Sequence, residues 1–208
     1  MYGLSKSEER LLKSLRTPEK IQDFLDTIPT NFEHNGDTCL SPRRVLRERH
    51  AHCMEGAMFA ALALRFQGHP PLVMDLKVEG NDDDHIVTPF KMRGCWGAIS
   101  KTNHAVVRYR DPVYRTLREL VMSYFHEYTT DEGRKILRCY SRPVNLARFD
   151  ARRWMTSEDD LFYIPHFIDE APHYDLLTSA QEKLIRRADA MERTVGTMLE
   201  WNPRGRNY

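Results

Sequence analysis

Hydrophobic and polar positions along the chain change period several times, and each change marks an element. Leu11, Leu12 and Leu15, then Ile21, Phe24, Leu25 and Ile28, recur at helical spacing and predict a packed pair of helices over about 5 to 15 and 18 to 28. NFEHNGDT follows as a loop. From Cys53 to about Phe66 the run CMEGAMFAALALRF is small and apolar on every side, which predicts an enclosed central helix. Gly68 stops it. PPLVMDLKV (70–78) reads as a buried strand, HIVTPFKM (85–92) and CWGAIS (95–100) as a hairpin turning at Arg93-Gly94, and HAVVRYR as a further strand candidate.

Three dipeptides, Thr17-Pro18, Ser41-Pro42 and Asp111-Pro112, combine a capping side chain with proline at a first helical position. The last predicts a helix carrying Val113, Leu117, Leu120, Val121, Tyr124 and Phe125 on one side. Residues 129–176 are rich in Arg, Pro and aromatics with weak periodicity and are expected to be irregular. A final helix is expected over about Ser179 to Glu200. The sum is one α+β domain spanning 1–208: N-terminal helices (1–40), a core with a central helix on an antiparallel sheet (41–128), and an irregular segment with a C-terminal helix packed on the core (129–208).

Composition narrows the function classes. Lys and Arg number 31 against 30 Asp and Glu, so no whole-molecule field marks a nucleic-acid or membrane-surface binder. No secretory leader and no membrane span are expected, because no continuous apolar run of about 18 residues occurs. A cytoplasmic protein is therefore expected. Cys39, Cys53, Cys95 and Cys139 form no CxxC pair, so free thiols are expected rather than a zinc ribbon or a disulfide framework.

The chemistry concentrates in RERHAHCMEG. Cys53 opens the central helix, where unpaired amides and the helix dipole favour an anion, and Arg47, Arg49, His50 and His52 lie just upstream. Each lowers a thiol pKa. A thiolate needs an imidazole partner, and His85, starting a strand after an acidic loop, is the candidate.

Here the chain resembles the transglutaminase-like cysteine enzymes, which share a papain-like core. HCMEGAMFAALALRFQGHPPLVMDL is similar to their cysteine block, and DDDHIVTPFKMRGCWGAIS to their histidine block; the resemblance spans about residues 41–104. It implies a cysteine-dependent hydrolase or acyltransferase acting on an amide, thioester or ester carbonyl of a peptide or small molecule; no cofactor is expected, because the cysteines and histidines do not form two ligand pairs. It also implies a third residue orienting His85. The family usually has Asp at the position held here by Ser100, and Asn103, three residues on, is the other candidate and the one preferred for its longer arm.

Other readings stay open. Cys53 could be an inert buried thiol, or the cleft could bind a peptide or metabolite without chemistry. His50, His52 and Cys53 could hold a metal, although no second ligand pair stands at matching spacing and no metal is expected. Asp82, Asp83 and Asp84 could attract a divalent cation, and the basic run from Arg43 to His52 a phosphate or carboxylate.

Overall fold

A computed structural model describes residues 2–80 and 84–200. The N-terminal pair is α1 (Lys6–Ser14), closed by a Ser5/Glu8 capping box, and α2 (Pro18–Asp26), capped by Thr17 with proline at its first turn. The same device starts α3 (Pro42–Glu48) at Ser41. Next comes α4 (Cys53–Phe66), buried without interruption from Met54 to Leu64. Its burial has a simple cause, since α1, α2 and α3 pack on one side and the sheet on the other.

The strands are β1 (Leu72–Val78), β2 (His85–Met92), β3 (Cys95–Ser100), β4 (Arg110–Tyr114), β5 (Leu137–Ser141), β6 (Val144–Asn145) and β7 (His173–Asp175). They form one open sheet in the order β4-β3-β2-β1-β5-β7, with β6 beside β1, and every pairing is antiparallel. Alternation along the strands splits the apolar residues between two cores. Val73, Ile86, Phe90 and Ile99 join α4, whereas Met74, Leu76, Val87 and Ala98 join Leu120, Val121, Tyr124 and Phe125 around α5 (Leu117–Met122). The result is a mixed α+β fold with helices on both faces of its sheet.

The β2–β3 hairpin turns where expected, with Arg93 and Gly94 both at positive φ (48° and 86°), as a two-residue turn matched to strand twist requires. Its register runs from Met92 opposite Cys95 to Val87 opposite Ser100. Pro89 lies beyond the part of β2 that pairs with β1, where its missing amide removes no ladder bond.

Three sequence expectations are corrected. Asp111-Pro112 does not start a helix but lies in β4, an edge strand where proline is tolerated, and α5 begins later under a Thr116 cap. Residues 129–176 are not irregular throughout: they contain β5, β6, a 3-10 segment (Leu146–Arg152), α6 (Tyr163–Asp169) and β7. Short strands buried partly by long-range pairing leave little local period to read. The C-terminal helix is two short pieces, α7 (Ser179–Glu182) and α8 (Ala190–Gly196), because Asp189 and Glu192 form a capping box inside the apolar repeat and start a new helix. Leu184 and Met191 are left exposed.

One close approach fixes the start of α4. A Cβ on Gly56 would lie 2.3 Å from Cβ and 2.6 Å from Cγ of Lys101, the residue after β3. Those atoms sit too near the backbone to rotate aside. Gly56→Ala should therefore destabilise the protein by about 1–3 kcal/mol, the usual cost of overpacking, in urea unfolding. A loss under about 0.3 kcal/mol would mean that the helix and β3 are not locked together there.

Candidate active site

Cys53 stands at the first position of α4, with His52 as N-cap. His52 Nδ1 accepts the Met54 amide proton at 3.2 Å, and its Nε2 lies 3.1 Å from the Thr38 carbonyl. The Glu55 side chain returns to the His52 amide at 2.9 Å, completing a capping box in which histidine replaces the usual hydroxyl. Glu55 is fully buried. It also accepts bonds from Thr38 Oγ1 and the Leu40 amide, at 2.8 and 2.9 Å, and from Asn31, so one carboxylate holds the 31–40 loop against the head of α4.

His85 opens β2 and is buried. Its Nε2 lies 2.8 Å from Ser100 Oγ, and Ser100 Oγ donates its own proton to the Val107 carbonyl at 2.5 Å. The hydroxyl has one proton, so toward His85 it acts as acceptor and Nε2 carries the hydrogen. This tautomer leaves Nδ1 unprotonated for the Cys53 thiol. Asn103, the preferred third residue, does not take this place: its side chain lines the cavity and makes no hydrogen bond among the described residues, while its carbonyl accepts the Glu200 amide at 2.6 Å. Strand parity explains the difference. Ser100 faces Val87, two residues from His85 and therefore on its side of the sheet, whereas Asn103 has the opposite parity and lies past the strand.

The support behind Ser100 was not read from sequence. Gln22 of α2 brackets its backbone, its Nε2 donating to the Ser100 carbonyl at 2.9 Å and its Oε1 accepting the Ser100 amide at 3.0 Å. Val107 sits at φ 58°, a costly conformation for a β-branched residue. Glu127 accepts the Val107 amide at 2.7 Å and is itself held by Arg110 at 2.6 Å. The strained residue is thus pinned so that its carbonyl meets Ser100. Of these supports only the His-x-x-Glu spacing of the cap had a local signature; the others are side chains from distant segments.

Glu127→Ala should cost about 1–3 kcal/mol, since it leaves the buried Val107 amide unpaired, and Glu127→Gln, which keeps an acceptor, much less. Chemical denaturation of the two variants would check the ranking. Equal losses would remove Glu127 from this role.

Electrostatics single out one thiol. Burial opposes charge on Cys53, but hydrogen bonds and charge from His52 and His85 outweigh it and bring the thiol down to about 5. Burial also opposes charge on His52, and the neighbouring Cys53 and Glu55 lift it to about 9. A charged His52 would have to give up the Met54 amide, so the ring caps α4 only while neutral and, when charged, stands beside the Cys53 thiolate as its cation. Cys39 goes the other way, to about 12, through burial and the Glu55 charge, and burial also raises Cys139.

Cys53, His52 and His85 open on a cavity of about 650 Å3, within the size range of small-molecule and peptide sites. Its far wall includes Glu127, Thr130, Arg193 and Leu199, so the C-terminal segment forms one side. His50 points away, 3.6 Å from Glu48. Three arginines of the basic run are taken up in ion pairs, Arg43 with Glu8, Arg44 with Glu48 and Asp160, Arg47 with Glu158, and Arg49 lies over the Phe24 ring. Asp82 and Asp83 lie outside the described residues. No helix among those described is long and apolar enough to cross a membrane.

The arrangement defines a class by its chemistry: a thiol of lowered pKa at a helix N-terminus, beside an imidazole whose far nitrogen is held. No protein-family model matches the chain, and a comparison with curated proteins finds no match.

Proposed function

We propose that the protein is a cysteine-dependent hydrolase or acyltransferase of transglutaminase-like, papain-like type, acting on an amide, thioester or ester carbonyl. The observation that carries this reading is the Cys53 thiol at the head of α4 with His85, whose Nε2 is held by Ser100 at 2.8 Å. Cys53 sulfur attacks the carbonyl carbon, its proton having passed to His85 Nδ1, and the oxyanion is held by a backbone amide near Cys53. His85 hands its proton to the departing amine, thiol or alcohol. It then deprotonates water or an acceptor amine, which attacks the thioester and frees Cys53.

A second reading rests on Ser100: with no carboxylate behind it, an imidazolium at His85 is less stabilised than in an Asp triad. That favours a peptide- or metabolite-binding protein that keeps the cleft. Acid-quenched mass spectrometry after exposure to ester, thioester and amide donors decides between them. The enzyme reading expects an acyl group on Cys53 that is discharged by water or an added amine. A Cys53 that alkylates quickly but never carries an acyl group favours binding.

A further inference from the structure

On the α4 side of β1, at the edge of the thiol cavity, Asp75, Asp84 and Asp169 converge so that one carboxylate oxygen from each lies within 4.8 Å of the others. They come from β1, the residue before β2, and α6. Three acids facing one another are common at surfaces and define no site alone. Two further features concern what they face.

Asp75 is only 3% exposed, and its Oδ1 has no hydrogen-bond partner among the described residues. A buried carboxylate oxygen without a partner is costly and uncommon. Its other oxygen, Oδ2, faces His173 Nε2 at 3.3 Å, while His173 Nδ1 sits 2.7 Å from the Ala171 carbonyl. A carbonyl can only accept, so Nδ1 carries the ring proton, and in the neutral ring Nε2 is a lone pair turned on a carboxylate. Such an arrangement, with Nδ1–H fixed by a backbone carbonyl, presents Nε2 to a cation. Among the described residues the lysine beside them is Lys77, whose ammonium contacts Asp169 and lies 3.9 Å from Asp84, at the open rim. One lysine cannot neutralise three carboxylates.

We propose that Asp75, Asp84 and Asp169, with His173 beside them, bind a divalent cation, and that Lys77 is the counter-ion it displaces. Oxygen donors with one imidazole suit Mn2+ or Zn2+ better than Mg2+, which favours oxygen and water alone. The expectation of no metal weighed paired Cys and His ligands and the acidic run Asp82 to Asp84, each within one short segment; these four residues come from four separate segments. Asp84 immediately precedes His85 and also lines the thiol cavity. A bound cation therefore ties β1, α6 and β7 to the first residue of the histidine strand, independently of whether Cys53 is catalytic.

Titration of the chelator-treated full chain with MnCl2, read by electron paramagnetic resonance and calorimetry, tests the assignment. One saturable site per chain is expected, weakened about 10-fold or more by Asp75→Asn and by Asp169→Asn, since even outer-shell partners of a metal cost that much. Asp169 is exposed, so its variant tests the site without disturbing the core. Lys77→Met should bind Mn2+ more tightly, because the competing ammonium is gone. If Zn2+ displaces the bound Mn2+ with the same variant pattern, the site stands with zinc as its better ligand. No saturable binding, or undiminished binding in both Asp variants, overturns the proposal, as does binding that Cys53→Ala abolishes. A Lys77→Met protein that loses stability and does not recover it with Mn2+ identifies the cluster as an ion-pair network only.

Discussion

Iodoacetamide at pH 6 will label Cys53 ahead of Cys39, Cys95 and Cys139. The thiol at about 5 is mostly thiolate there, whereas Cys39, at about 12 and almost wholly buried, is neither ionised nor accessible. The rate should stay nearly level from pH 8 to pH 6 and fall as pH drops through about 5. Replacing His85 by Ala removes one of two imidazoles that lower the thiol while burial and His52 remain, so the thiol rises part of the way toward its ordinary range. At an ordinary pKa near 8.5 well under one per cent of the thiol would ionise at pH 6, so the His85→Ala rate should fall by about 10-fold, and by about 100-fold when His52 is replaced as well. The same shift has a thermodynamic sign. A thiol whose folded pKa lies below its unfolded value stabilises the fold above the ordinary thiol pKa, and this contribution disappears as pH falls toward 5. A rate that declines steadily from pH 8, or His85→Ala labelling like the parent, would remove the assigned pair.

Ser100→Ala should slow Cys53 alkylation about 10-fold or more near neutral pH, because the His85 tautomer is no longer held, and Asn103→Ala should leave it unchanged. Ser100→Asp is the more informative change. It introduces the residue type usual in the transglutaminase-like enzymes the chain resembles, yet here it should not raise the rate. The Ser100 hydroxyl donates to the Val107 carbonyl at 2.5 Å, and an aspartate has no proton to give, so its oxygen would face that carbonyl in a buried site. A loss of stability together with slow alkylation is expected, measured by unfolding and by the pH profile side by side. An Asp variant that reacts faster than the parent would show that the Val107 carbonyl does not constrain the site.

Ser100 also illustrates how the site could be read in part. The two candidates for the third position were both visible, and the expected hairpin register was correct from its turn outward. What failed was the weight given to arm length over strand parity: a serine on the right side reaches His85, and a longer asparagine on the wrong side does not. Gln22, Glu127 and Arg110 carried no legible signal, because a glutamine or glutamate in an amphipathic segment looks like any solvated residue until the distant backbone it serves is in place.

The sequence by itself determined the elements with strong local causes. The span of α4 followed from an unbroken apolar run opened by a cap and closed before Gly68, and the β2–β3 hairpin from a two-residue turn that needs positive φ. It also determined which thiol stands at a helix N-terminus. Only the tertiary structure decided that Pro112 lies in an edge strand, that the stretch after residue 129 supplies strands to the sheet, and that the last apolar repeat is broken by a capping box. It alone brought Val107 to Ser100, and Asp75, Asp84, Asp169 and His173 together. The physical reason is common to all of these. Helices and tight turns are fixed by interactions within a few residues, whereas edge strands, strained carbonyls and convergent carboxylates depend on partners tens of residues away.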